Sequence, residues 1–346
     1  MTATSAALRF PYLHYPFPPG IHPETDQAET ALIHWLTGHG LLTDPGLETA
    51  LRHTRLSALT GREYLDADSD GLRVVTNVWC WILLVADRVR DPGVLGRNLA
   101  QLATFHAWMR EIMEVGSVTA AESLALAATA GLNENDRNLC HGLAEAGQDV
   151  FRSIADRASS AQYMRFVAEM DYYFLGTLWE AGHRVRSTTP PPAEYAIGRR
   201  MTGGTLFRLS LQDIAGGYEV VPDDYLHPAV RTLRRHAANI NCWCDDVISY
   251  GKERNASGRR PINLPTSLTY HAEWEEQGAL EETARLHNRE MEAYLSAEAE
   301  VATWAGPELS RFLVAMRTML RGFYDWGLSC PRYDVHRYFD MVPRKL

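Results

Sequence analysis

The sequence has no surplus of positive charge, no cysteine pattern and no long apolar run, and each lack closes off a class of function. Lys and Arg number 34 against 43 Asp and Glu, a formal net charge of -9 over 346 residues. A nucleic-acid partner is therefore not expected. No apolar stretch approaches the roughly 20 residues of a membrane span. The opening MTATSAALRFPYLHYPFPPG has no basic start followed by an apolar core, so it does not read as a secretion signal. The expectation is a cytoplasmic protein that does not enter a membrane. Cys80, Cys140, Cys242, Cys244 and Cys330 are odd in number, form no C-x-x-C pair and lack zinc-site spacing. They read as small apolar residues in a reducing compartment.

Strand-like alternation is nearly absent too, as are repeats at a fixed period, low-complexity linkers and shifts of composition. What is present is helix after helix, with apolar positions recurring at spacings of three and four. LRVVTNVWCWILLVADRVRD is apolar on most sides and is expected to stop at Pro92-Gly93, while AQYMRFVAEMDYYFLGTLWEAGHRV ends at the prolines of STTPPP. With 46% hydrophobic residues the chain can bury a sizeable core. The reading is all-α: one antiparallel helical bundle over residues 21–346, preceded by an extended proline-rich arm over 1–20.

Two acidic edges stand out. In DDVISYGKE, Asp245, Ser249 and Glu253 are each four apart. A helix rotates only about 40° per four-residue step, so the three oxygen-bearing side chains fall on one edge. Upstream, VADRVRD places Asp87 and Asp91 four apart. Such a pair taken alone is usually a solvated face. Two such edges facing each other across a bundle would make an oxygen-rich mouth suited to a hard divalent cation. Magnesium in particular uses one or two carboxylates plus phosphate oxygens, so the inferred ligand is a magnesium–phosphate complex.

The sequence resembles the microbial class I terpene synthases. Their second metal motif, [N/D]-D-[L/I/V]-x-[S/T]-x-x-x-E, matches Asp245 to Glu253 at every specified position. WEAGHRVRSTTPPPAEYAIGRRMTGG is similar to the segment carrying the family's diphosphate-sensing arginine. The family spacing of about 46 residues to the metal motif makes that residue Arg199, with Thr202 and Gly203 matching the linker and helix-break effector. WGLSCPRYD is similar to W-x-x-x-S-x-R-Y, with Cys330 at the serine position, and implies Arg332 and Tyr333 as diphosphate partners, and HYPFPPGIHPE has the proline-rich text that precedes the first helix.

The resemblance implies the class I terpenoid synthase fold and a prenyl diphosphate substrate, of fifteen or twenty carbons. It implies three magnesium ions, held by Asp87 and Asp91 on one side and Asp245, Ser249 and Glu253 on the other, with Lys252 joining the diphosphate contacts. A homodimer is left open. The first motif departs from the family's D-D-x-x-D or D-D-x-x-x-[D/E]: either Asp87 leads and Arg88 stands second, or Ala86 stands where the leading aspartate belongs. The first register is favoured because its outer pair keeps the i,i+4 spacing.

A cation freed from its diphosphate needs a dry pocket with aromatic faces, which attract positive charge. With nine Trp, fifteen Tyr and ten Phe the chain can line one; Trp79, Phe166, Phe207 and Trp326 are the candidates. Leu83, Leu84 and Asn241 lie one turn before the acidic edges, and the mostly small or aliphatic residues there lean toward the longer substrate. Residues 254–265, basic and loop-like, read as a lid or a plain solvated loop. The competing readings are a prenyl-chain transferase on the same fold, and a prenyl-diphosphate binder without turnover. The Ser-bearing edge argues against the transferase, which carries two full aspartate motifs.

Overall fold

The computed structural model describes residues 8–42, 45–90, 93–255 and 260–341. It is all-α, as the periodicity implies; among the described residues the only strands are Leu8–Phe10 and Phe339–Met341, which pair in parallel. That pairing joins the N-terminal arm to the tail just beyond Tyr333. Leu13 and Phe17 of the arm are buried, and Arg321 Nη1 donates to the Phe17 carbonyl at 2.7 Å. No described helix is long and apolar enough to cross a membrane.

Local chemistry sets the helix boundaries. Asp68 caps Ser69–Leu84 by accepting from Gly71 N, and Ser159 with Gln162 forms a reciprocal capping box on Ser160–Arg186. Proline starts Pro192–Thr202 and Pro307–Ser329, where its missing N–H costs nothing. Pro228–Asn255 runs through the centre of the molecule and packs along Glu276–Ala302 and Pro307–Ser329. Ser160–Arg186 packs against Pro192–Thr202 and the short helix Thr205–Ser210. All five cysteines are buried and free, as apolar filler would be.

One contact brings the helix carrying Arg199 close to its neighbour. At Gly176 a Cβ would stand 2.4 Å from Met201 Cβ and 2.9 Å from Thr202 N, so the helices approach only because the side chain is a hydrogen. Gly176→Ala should therefore cost about 1–3 kcal/mol of stability, the usual price of overpacking. The check is the urea midpoint; a midpoint equal to the parent's would show that the helices can separate freely.

Candidate active site

A cavity of about 1280 Å³ is bordered by Asp87 of the first acidic edge and by all three residues of the second. Asp245, Ser249 and Glu253 all line it from Pro228–Asn255. Asp245 accepts from Arg199 Nη2 at 2.6 Å through one oxygen and from the Tyr333 hydroxyl at 2.9 Å through the other. Glu253 accepts from Asn263 Nδ2 at 2.7 Å. Withdrawal from water and the nearby Asp245 charge push the Glu253 carboxyl up to about 7. Ser249 Oγ is buried and makes no hydrogen bond of full geometry among the described residues, but it stands close enough to the Glu253 carboxyl to favour its charged form.

Asp246 plays a different part from Asp245. It is 2% exposed and accepts from Arg199 Nε at 3.0 Å, the Tyr195 hydroxyl at 2.7 Å and Leu264 N at 3.0 Å. Asp246 also borders the cavity, but its oxygens are committed to holding Arg199, the Tyr195 hydroxyl and the start of Leu264–His271.

The first acidic edge corrects a sequence expectation. The helix does not continue regularly to Pro92: Ser69–Leu84 gives way to a π-helical turn over Val85–Arg90. The i→i+5 winding changes which residues share a face with Asp87 over Val85–Arg90. Such turns recur at functional sites. Ala86, Asp87 and Arg90 line the cavity, while Asp91 lies outside the described residues. Arg332 grips Asp87 with both terminal nitrogens, at 3.0 and 3.1 Å. Arg90 and Arg184 each donate to Glu180 at 2.7 Å and hold its carboxyl below the usual range in spite of burial.

The break downstream of Arg199 falls where the spacing places it. Pro192–Thr202 ends, Gly203 caps it, and Gly204 turns through φ +68°, a left-handed value that favours glycine, before Thr205 starts a new helix. A Cβ on Gly203 would lie 2.3 Å from Cys242 Sγ. Thr202 Oγ1 donates to the Arg199 carbonyl at 3.3 Å. Lys252 lines the cavity with Nζ 5.9 Å from the centre of the Tyr333 ring; burial and the Arg332 charge lower its pKa.

Trp79, Leu83, Phe207, Asn241 and Trp326 line the cavity, and Phe166 and Leu84 do not. Phe166 is fully buried against Phe151 and Tyr163, and Leu84 is buried in the hydrophobic core. Trp326 is fixed by its indole N–H, which donates to the Thr54 and Arg55 carbonyls at 3.0 and 3.1 Å. Tyr173, Glu180 and Phe323 also line the cavity and were not among the expected residues. Tyr195 supports the site from four positions before Arg199, a spacing that could have pointed to it. Of the 254–265 loop, residues 256–259 lie outside the described residues; Arg260, Pro261 and Ile262 border the cavity.

Among the described residues no group of three or more His, Cys, Asp or Glu side chains forms a ready-made metal cluster. The donors that are present still fit magnesium. They are hard oxygens of Asp87 on one helix and of Asp245, Ser249 and Glu253 on another, all lining one cavity, and the buried Ser249 hydroxyl makes no hydrogen bond of full geometry. An ion that brings phosphate oxygens with it needs only one or two protein carboxylates on each side.

Comparison with known proteins agrees with this geometry. The family described as "Terpene synthase family 2, C-terminal metal binding" matches residues 79–293. A (+)-T-muurolol synthase ((2E,6E)-farnesyl diphosphate cyclizing) from Roseiflexus castenholzii is 27% identical, over 95% of this chain and 96% of its own. A 4-epi-cubebol synthase ((2E,6E)-farnesyl diphosphate cyclizing) from Streptosporangium roseum is 26% identical, over 94% and 92%. Among solved structures, 2-methylisoborneol synthase from Streptomyces coelicolor A3(2), in complex with Mg2+ and 2-fluoroneryl diphosphate, superposes with a TM-score of 0.77 at 20% identity, covering 98% of this chain and 99% of that one. The family match runs from Trp79 in the cavity wall through both acidic edges, and on that extent the chain belongs to terpene synthase family 2.

Proposed function

We propose that the chain is a magnesium-dependent class I terpene synthase that ionises and cyclises farnesyl diphosphate with release of diphosphate. The observation that carries this reading is the pairing across the mouth. Arg332 holds Asp87, while Arg199 and Tyr333 hold Asp245, so each diphosphate-binding group rests on a carboxylate meant for metal. With magnesium and diphosphate bound, the guanidiniums of Arg199 and Arg332 and the Tyr333 phenol would hold phosphate oxygens, and Asp87, Asp245, Ser249 and Glu253 would hold the metal. The exchange leaves no buried charge unpaired, which is the costly outcome such a site must avoid.

Bound magnesium, taken as three ions, would supply positive charge against the diphosphate as its bond to carbon breaks. This chain's residues do the rest. Arg199 and Arg332 present planar forks to the phosphate oxygens, and Lys252 adds a point charge. The Tyr333 hydroxyl donates a further hydrogen bond. Arg199 is set before reaction by Asp246, which Tyr195 holds in turn, and lies just before the helix break at Gly203–Gly204, so its stabilisation of the leaving group needs little reorganisation. Trp79, Leu83, Phe207 and Trp326 line the cavity and would exclude water, and the three aromatic residues among them would offer ring faces to a carbocation, each worth roughly 0.5–2 kcal/mol. The named activities of the two relatives support the fifteen-carbon substrate over the twenty-carbon one.

The test is diphosphate release, with and without magnesium, on ten-, fifteen-, twenty- and twenty-five-carbon diphosphates, with products read by mass spectrometry. Magnesium-dependent release with cyclic products from farnesyl diphosphate is expected. Binding without release would make the chain a binder, and a lengthened chain in the presence of isopentenyl diphosphate would make it a transferase. Within this reading Glu253→Gln should lower turnover at least about tenfold and raise the magnesium needed for half-maximal rate, as loss of a ligating charge does. Parent rates in that variant would remove Glu253 from the metal side.

A further inference from the structure

Behind the cavity wall lies a buried ion pair that the ionisation chemistry does not use. Glu63, on Leu56–Glu63, and Arg208, on Thr205–Ser210, are both fully buried and meet at 2.6 Å. Neither lines the cavity. The second Glu63 oxygen accepts the Trp79 indole N–H at 3.1 Å. The Arg208 guanidinium lies 4.8 Å from the centre of the Trp79 ring and 5.5 Å from that of Phe323. Trp79 and Phe323 both line the cavity. The cluster is tied further: Arg208 Nη2 donates to Thr205 Oγ1 at 3.2 Å, and the Tyr64 hydroxyl donates to the Arg208 carbonyl at 3.1 Å.

A buried pair of this kind is weak as a source of stability, since its desolvation roughly offsets its attraction. Its location suggests another use. A cation behind two wall rings draws on the same π-electrons that would face a carbocation in the cavity. Left uncompensated in a medium of low polarity, it would also repel that carbocation directly. Glu63 removes both penalties and fixes the indole by its N–H, so the plane of Trp79 is set by a charged acceptor.

Building on the proposed cyclase activity, we propose that Glu63 and Arg208 are positioning residues for cyclisation: Glu63 orients the Trp79 indole and cancels the Arg208 charge behind the Trp79–Phe323 wall, keeping that wall attractive to the carbocation. Arg208 sits five residues past the break at Gly203. The pair thus joins the segment that follows Arg199 to the wall on the far side.

The test uses the full chain with farnesyl diphosphate and magnesium. It compares the parent, Glu63→Gln, and the neutral double variant Glu63→Gln with Arg208→Gln. Glu63→Gln keeps shape and an oxygen for the indole but leaves Arg208 uncompensated. Its kcat should fall at least about tenfold, with KM within about twofold of the parent, and acyclic products should rise relative to cyclic ones. The double variant removes both charges and should recover most of the lost kcat. A purely structural role predicts the reverse, with the double variant worse than the single. Should Glu63→Gln fail to fold, Glu63→Asp decides: it keeps the charge beside Arg208 but withdraws the acceptor from the Trp79 indole, so acyclic products should rise relative to cyclic ones, and parent products overturn the proposal. Parent kcat and parent products in a folded Glu63→Gln also overturn it. A parent chain that releases no diphosphate would instead overturn the cyclase reading itself.

Discussion

Arg199→Lys is expected to lower turnover of farnesyl diphosphate by at least about a hundredfold, the scale seen when one fixed donor to developing negative charge is lost, with far-ultraviolet circular dichroism unchanged. Arg199 uses its whole fork in the unliganded protein: Nη2 reaches Asp245, Nε reaches Asp246, and Nη1 lies 3.5 Å from Thr202 Oγ1. A lysine ammonium keeps the charge but cannot span two carboxylates, nor meet two phosphate oxygens in one plane. Asp246 is 2% exposed and would lose a charged donor while keeping only Tyr195 and the Leu264 amide. The variant therefore loses the geometry needed before substrate arrives as well as during ionisation. Arg200→Lys is the control. Arg200 Nη1 donates to Asn239 at 3.3 Å, and Arg200 does not line the cavity. A large effect at Arg200 with none at Arg199 would move the sensing role by one residue.

The parts of this site that were legible in the sequence are those whose spacing is local. The Asp245–Ser249–Glu253 edge follows from 3.6 residues per turn, and the structure keeps it on one helix at the cavity. The all-α fold follows from periodicity, because a buried stripe at spacings of three and four leaves little else for the chain to form. Pairings between distant segments left no such trace. Glu63 and Arg208 are 145 positions apart, and Arg332 and Asp87 are 245 apart. Nothing in either local sequence marks the partner.

The expectations for Phe166, Leu84 and the VADRVR run failed for physical reasons that spacing cannot register. An aromatic at helical spacing is known to be buried but not against what, so Phe166 went to the Phe151 side of its helix and not to the cavity. The run through VADRVR reads as ordinary helix, yet it winds as a π turn. Local hydrogen-bond register is decided there by tertiary contacts. Val89 is fully buried, and Arg90 is drawn toward Glu180 on Ser160–Arg186.

That π turn bears on the register of the first motif, and Asp87→Asn should lower turnover by at least about a hundredfold, with a rise in the magnesium required for half-maximal rate on the scale of a lost ligand. Ala86 and Asp87 both line the cavity, so exposure to the mouth alone does not choose between them. The contact from Arg332 does favour one. Both of its terminal nitrogens converge on Asp87, which makes this carboxylate the one opposed to a diphosphate-binding cation, as Asp245 is on the facing edge. The symmetry supports Asp87 as the leading ligand, with Arg88 standing where the family has its second aspartate. On this register Ala86→Asp adds a carboxylate beside one already serving. The two like charges repel, and the rate stays the same or falls. If Ala86 held the leading place, Ala86→Asp would lower the magnesium requirement and Asp87→Asn would cost only modestly. Magnesium titrations of the two variants, with diphosphate release as the readout, separate these outcomes. A clear gain from Ala86→Asp would assign the leading position to residue 86.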